Sequence, residues 1–305
     1  MTHNIIISNA RIVTPLGVLE KNIVINDGKI VQISSDTPQC NKKIDGTGKV
    51  VIPGMIDTHV HYGVYSPIDV AATSESHAAA IGGVTTMMRM LRLEGSFKEL
   101  LQAHLDTSAK SHYVDYAIHA SIFNETQIEE MNYCVKQGIT SFKLYMNLGG
   151  EVGHVYMDLQ PNESTLHETN VEVGEEIIRG TIKMAASLNC PVLIHAEDYE
   201  SCACGIKTSR EKNLDGLRAW SDSRAPKYEV KAIEMVSRIA REFGCVLYFV
   251  HIGSSAALKQ IKIERQSGTI IHVETCPHYL TLVHEEQAGY LPKVMPPIRS
   301  SEDRD

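Results

Sequence analysis

From residue 51 onward the chain alternates short, almost wholly apolar runs with longer stretches of helical period. This rhythm narrows the available folds more than any other feature. Strands are expected at VVIPGMIDTHVH, GVTTMMRM, YAIHASI, TSFKLYMN, PVLIHAED, CVLYFVHIG and TIIHVETCPHYL. Between them, VEVGEEIIRGTIKMAASL sets Val173, Ile177, Thr181, Ala185 and Leu188 along one stripe. YEVKAIEMVSRIAREF does the same with Val230, Ile233, Val236, Ile239 and Phe243. Strands apolar on both faces must be covered on both, so the pattern means a parallel sheet clothed by helices. Seven such strands predict an α/β fold of the (β/α)8 TIM-barrel type, incomplete at its C-terminal end. A doubly wound sheet is the competing architecture. It favours a first turn such as G-x-G-x-x-G, and PGMIDTHVHYG is not one.

Residues 1–50 have a different texture. NIIISNARIV, GVLEKNIVIN and KIVQIS are short, rich in Ile and Val, and broken by turns, with NDGK as a hairpin signal. Two domains are therefore expected, a small β subdomain over 1–50 and a barrel over 51–305.

In a barrel, chemistry gathers where the strands end. The first strand ends in His59 and His61, two residues apart, so in an extended chain both imidazoles leave the same face. The fourth carries Lys143, the fifth ends in His195, and the sixth ends in His251. A lone histidine closing a buried strand usually meets only a loop, and a lone strand lysine usually snorkels. Four histidines and one lysine at equivalent ends of four strands are what a single convergent site requires. Imidazole nitrogen suits Zn²⁺ and similar ions. An ammonium would repel a cation, so Lys143 fits only if it is deprotonated and joined to CO2 as an anionic carbamate able to bridge two ions.

The formal net charge of -8, with no block of Lys or Arg, argues against a nucleic-acid or anionic-membrane surface. The N-terminal apolar run is too short for a signal peptide, and no stretch reaches transmembrane length. The seven cysteines form no C-x-x-C pair, which suits buried thiols in a reducing cytoplasm. Cys202 and Cys204 in SCACG lack the further thiolates that a zinc site needs.

PGMIDTHVH, GGVTTM, SFKLYM, IHAED, VHIGSS, ETCPHYL and PPIRSSED stand in an order that resembles the amidohydrolase superfamily. The similarity is to its cyclic branch of dihydropyrimidinases, hydantoinases, allantoinases and dihydroorotases. It covers essentially the whole chain. It implies two divalent ions, most simply zinc, with His59 and His61 on the more buried one. Lys143 would bridge both as a carbamate, and His195 and His251 would hold the more exposed ion. Also implied are a partial β-sandwich over residues 1–50 and a homo-oligomer, dimer or tetramer. The implied reaction is hydrolysis of a ring amide by a hydroxide held between the ions, yielding a carbamoyl or ureido acid.

The chain departs from that pattern in several places. The family's proton-shuttling aspartate follows an eighth strand, whereas the sequence closes at PPIRSSEDRD. Asp303 and Asp305 are not assigned its role, so no catalytic acid or base is named, and the chain alone is expected to be poorly active. No arginine follows H-x-H closely, which lowers the case for a carboxylate-bearing ring. Leu148 stands five residues past Lys143, where hydantoinases usually place a substrate-steadying tyrosine. GGEVGHVYMDLQPNESTLHE reads as a long loop from which Tyr156 or His154 could supply the lost donor. Cys276 matches a family position whose backbone faces the substrate ring. The leading expectation is hydrolysis of a dihydropyrimidine or hydantoin. Dihydroorotate or allantoin is the alternative ring, and a non-catalytic dihydropyrimidinase-like scaffold the alternative class.

Overall fold

The computed structural model describes residues 3–287 and 289–305. Met1 and Thr2, where the N-terminal run begins, lie outside the described residues. The chain divides into two compact units, Met1–Met55 and Ile56–Asp305, so the division falls a few residues beyond residue 50.

The first unit is built on one five-stranded sheet. Its strands are β1 (His3–Thr14), β2 (Gly17–Asn26), β3 (Lys29–Ser34), β4 (Cys40–Asp45) and β5 (Val50–Val51). The order is β3-β2-β1-β4, with β5 also on β1. Asn26 pairs with Lys29 across the NDGK turn, where Asp27 and Gly28 have φ of 48° and 73°. Two left-handed residues make the turn whose twist matches that of the flanking strands. Ala10, Ile12 and Ile23 form its small core.

The second unit carries a seven-stranded sheet in the order β14-β13-β12-β9-β8-β7-β6. The strands are β6 (Met55–Val60), β7 (Val84–Leu91), β8 (Asp115–Ser121), β9 (Phe142–Tyr145), β12 (Val192–His195), β13 (Leu247–Phe249) and β14 (Ile271–Val273). The pairings with resolved register are parallel. Each strand lies beside its predecessor without a reversal, as in a barrel and unlike a doubly wound sheet. The sheet curls until side chains from its two edges meet. His59 on β6 reaches Glu274 just past β14 at 2.8 Å, and Thr58 reaches Tyr248 on β13 at 3.2 Å.

Strand period explains what faces inward. Lys143 is in register with Leu193, Leu193 with Tyr248, and Tyr145 with His195. The alternate residues Phe142, Leu144, Val192, Ile194, Leu247 and Phe249 point away into the main core. There they meet Ile178, Ile182, Val236 and Ile239 from helices Glu175–Ser187 and Pro226–Phe243. On the first helix the buried face runs through Ile178, Thr181, Ile182 and Ala185, so Ile177 stands at its margin.

Three expected segments are shorter or different. Pro53 and Gly54 split VVIPGMIDTHVH into β5 and β6. TIIHVETCPHYL is strand only over Ile271–Val273. Pro277 then opens a short helix to Thr281, because proline at a first helical position loses no needed N–H. The loop between Lys143 and His195 contains a hairpin, β10 (His154–Tyr156) paired with β11 (Glu168–Asn170).

His104, on helix Phe97–Ser111, is fully buried against Arg89 at 3.2 Å and the Gln160 amide at 3.0 Å. Burial, helped by the Arg89 charge, lowers its pKa to about 3. The unfolded chain therefore binds the extra proton first. Its contribution is fully present above the ordinary histidine pKa and is lost as pH falls toward 3. Moving from neutral pH to about pH 4.5 should remove roughly 2 kcal/mol through this residue. Urea unfolding at the two pH values should show a smaller acid loss in His104→Gln.

Candidate metal centre

The five residues expected at the strand ends come together. His59 and His61 leave the end of β6 on one face, and their Nε2 atoms face each other at 3.2 Å. The ring of His251 lies 5.3 Å from that of His59 and 4.5 Å from that of His195. Lys143, on β9, is fully buried beneath them, its Nζ 5.1 Å from the centre of the Tyr145 ring. Its charge acts on all four imidazoles. The four histidines line a cavity of about 540 Å³.

Burial sets the protonation of the group. It lowers His195 to about 4 and pushes His59 and His251 down, leaving neutral rings with a lone pair to offer. Surrounding atoms lower His61 too, although its ring opens onto the cavity, where water softens the effect. Burial also brings the Lys143 amine down to about 7, against the pull of Glu274. Lys143 Nζ and His251 Nδ1 are buried without a hydrogen-bond partner. Buried polar atoms are seldom left so, and the charge of one of these acts on the other.

Carboxylates stand one step back and hold the rings. Glu274 Oε1 lies 2.8 Å from His59 Nδ1 and also accepts the His251 backbone N–H at 3.2 Å, while its Oε2 accepts from Tyr248 at 3.0 Å. With Nδ1–H donating, His59 presents Nε2 to the cavity. On the other side, Glu197 Oε2 sits 2.6 Å from His195 Nε2, which leaves Nδ1 of that ring for the cavity. Burial would raise the Glu197 carboxyl, but the Arg224 guanidinium beside it holds it down at about 2. Arg224 grips Glu197 with two bonds of 2.9 and 2.7 Å. Its carbonyl accepts from Arg299, which also pairs with Glu229, and Glu229 accepts from Ser254 at 2.7 Å. His251 adopts φ of 44°, a conformation that costs a bulky residue about 1–3 kcal/mol. The backbone bond to Glu274 keeps it there.

The remaining wall answers the other expectations. Tyr156 and His154, from β10, line the cavity, as do Leu148 and Cys276. Asp303 does not; its backbone N–H is capped by Ser300 at the start of a short helix, and its carboxylate accepts the Ser255 N–H at 3.0 Å. Asp305 is exposed beside Arg304. Residues in the cavity wall that were not anticipated include Arg92, just past β7, Tyr145, Asn147 and His278. Glu197 and Glu274 were missed as well, though they lie within the motifs IHAED and ETCPHYL. Their signal was a carboxylate at the end of an apolar strand, where it needs a partner.

Among the described residues, no three His, Cys, Asp or Glu side chains surround one point as a finished metal site. No helix among them is long and apolar enough to cross a membrane. All seven cysteines are free.

No family model matches the chain. It is 27% identical to an allantoinase of Solibacter usitatus over 309 residues, covering 98% of this chain and 63% of the relative. It is 28% identical to an allantoinase of Desulfitobacterium hafniense over 312 residues, covering 100% and 66%. Its fold superimposes on an L-hydantoinase (dihydropyrimidinase) from Arthrobacter aurescens with a TM-score of 0.85, at 23% identity, over 99% of this chain and 65% of that one. A D-hydantoinase gives 0.80 at 26% identity, over 98% and 64%. The chain thus spans just under two thirds of the length of these relatives. Their names support the similarity to cyclic amidohydrolases that the motifs carry.

The Glu197–Arg224 pair is enclosed, so removing one partner strands a charge. Arg224→Met should cost about 3–5 kcal/mol in urea unfolding. Arg218→Met, which breaks an exposed pair with Asp222, should leave the midpoint unchanged.

Proposed function

We propose that this relative of the cyclic amidohydrolases carries a metal-dependent centre for hydrolysing a ring amide in a cyclic amide or imide, such as a hydantoin or dihydropyrimidine. The observation that carries the proposal is the meeting of four neutral imidazoles on one cavity at the strand ends, with the buried Lys143 amine close enough for its charge to act on all four. The residues fit such a centre. Two nitrogens each 2.0–2.1 Å from a tetrahedral zinc lie roughly 3.3 Å apart. The Nε2 atoms of His59 and His61 are 3.2 Å apart. Four neutral rings lack the negative charge to fix a pair of dications, and a carbamate on Lys143 is the group able to supply it. In that arrangement His59 and His61 would hold one ion and His195 and His251 the other, and Lys143 as a carbamate would supply the negative charge.

A pair of divalent ions, when bound, supplies an acidified water and polarises the ring carbonyl. The part played by the chain itself is to keep the imidazoles neutral, to aim them through Glu274 and Glu197, and to keep water from Lys143. The Tyr156 hydroxyl, on the cavity wall, is proposed to steady the carbonyl oxygen in place of the tyrosine that Leu148 replaces. Cys276 is proposed to present its backbone to the ring while its thiol, raised to about 11 by burial, stays protonated. The allantoinase names of the curated relatives favour an allantoin-type ring as the second reading. A cytoplasmic homo-oligomer belongs to the same proposal, supported by the resemblance and the free cysteines.

Metal content tests it. The chain, supplied with zinc and bicarbonate and then desalted, should retain about two zinc ions. Lys143→Ala should lose at least one of them. Carbon-13 bicarbonate should label the wild type with a carbamate signal that the variant lacks. A wild type that holds no zinc, or a Lys143→Ala that holds it equally well, sinks the proposal. In the loaded protein, Tyr156→Phe should weaken hydantoin binding several-fold, about the worth of one hydrogen bond.

A further inference from the structure

The fold brings to the cavity a cation that lies far from the H-x-H stretch in the chain. Arg92 follows β7, and Asp158 lies in the loop beyond β10. Their backbones are locked together: Asp158 N–H donates to Arg92 O at 2.9 Å, and Leu159 N–H to Gly63 O at 2.7 Å. Asp158 Oδ2 accepts the Arg92 backbone N–H at 3.3 Å. Arg89 approaches the same carboxylate from the other side at 3.6 Å, passing so near Gly63 that a Cβ there would meet Arg89 Nη1 at 2.8 Å. Two guanidiniums therefore share one buried carboxylate, and a unit of positive charge is left over.

That surplus faces the cavity through Arg92. Its side chain is 16% exposed, against 1% for Arg89, and it alone of the three lines the cavity wall. Asp158 orients it at 3.7 Å, longer than a normal hydrogen bond, and among the described residues Arg92 Nε has no closer acceptor. No Asp or Glu among the described residues lines this cavity. A guanidinium held from behind, with free donors and no acid in front, matches a carboxylate in geometry and charge.

We propose that Arg92 determines specificity in this cavity by taking a carboxylate substituent on the ring substrate. The proposal rests on the reading of the site as a cyclic-amide centre. The absence of an arginine near H-x-H then says nothing about the ring, because the second strand provides one.

Dihydroorotate and dihydrouracil differ only in a ring carboxylate and serve as probes. Their binding to the purified chain, supplied with zinc and bicarbonate, can be measured by titration calorimetry. The wild type should bind dihydroorotate roughly ten- to a hundredfold more tightly than dihydrouracil, the worth of a charge-assisted contact. Arg92→Met should bring that ratio close to one without changing dihydrouracil affinity or zinc content, and Arg92→Lys should keep part of it. A wild-type ratio of one or less overturns the proposal even if Arg92→Met fails to fold. So does a ratio that survives in Arg92→Met, or a loss of zinc in that variant with the ratio intact. A chain that holds zinc but binds neither ring defeats this proposal and leaves the metal centre standing. A chain that holds no zinc defeats the proposed function itself.

Discussion

An amine sits at the centre of this structure with nothing to bond to. Lys143 occupies the inward layer of the sheet, in register with Leu193. An ammonium there would face a desolvation cost of several kcal/mol. Burial therefore drives it toward the neutral form, and the same enclosure keeps the surrounding imidazoles neutral. The inward layer thus collects uncharged nitrogen donors and leaves an unmet need for a bound group, which no apolar core would do.

Charge is sorted by distance from that layer. Among the described residues no carboxylate lines the cavity; Glu274 and Glu197 stand behind His59 and His195 and choose which ring nitrogen faces in. Glu197 is in turn tied through Arg224, Arg299 and Glu229 to Ser254, the cap of helix Ser255–Gln266. On the opposite side, Glu274 joins the first and last strands of the curled sheet and holds the strained backbone of His251. The bonds that orient the rings also hold the sheet in its curl, so stability and site geometry are coupled.

Much of this was legible in the chain. Short apolar runs between helical stretches marked the strands, and the four histidines closing them come together with Lys143 from within one. The H-x-H spacing and the NDGK turn are local, so their geometry follows from their own residues. Other features were hidden for physical reasons. TIIHVETCPHYL looks like one long strand by hydropathy, but Pro277 starts a helix within it. The stripe on Glu175–Ser187 held at Thr181 and Ala185 but took in Ile177 in place of Ile178 and Ile182, because ideal periodicity does not say which edge of an apolar arc meets the sheet. Arg92 and Asp158 lie 66 positions apart and belong together only because their backbones bond.

The sequence by itself determined the alternation of apolar strands with helices and the nitrogen-bearing side chains that the strands carry, since these depend on spacing within short segments. Tertiary structure alone decided which carboxylate stands behind which histidine, and that the sheet curls far enough for its edges to touch. It also decided that an arginine from the second strand faces the cavity. The reason is that each of these is a contact between segments remote in the chain, set by how the whole sheet bends and how the loops fold back on it.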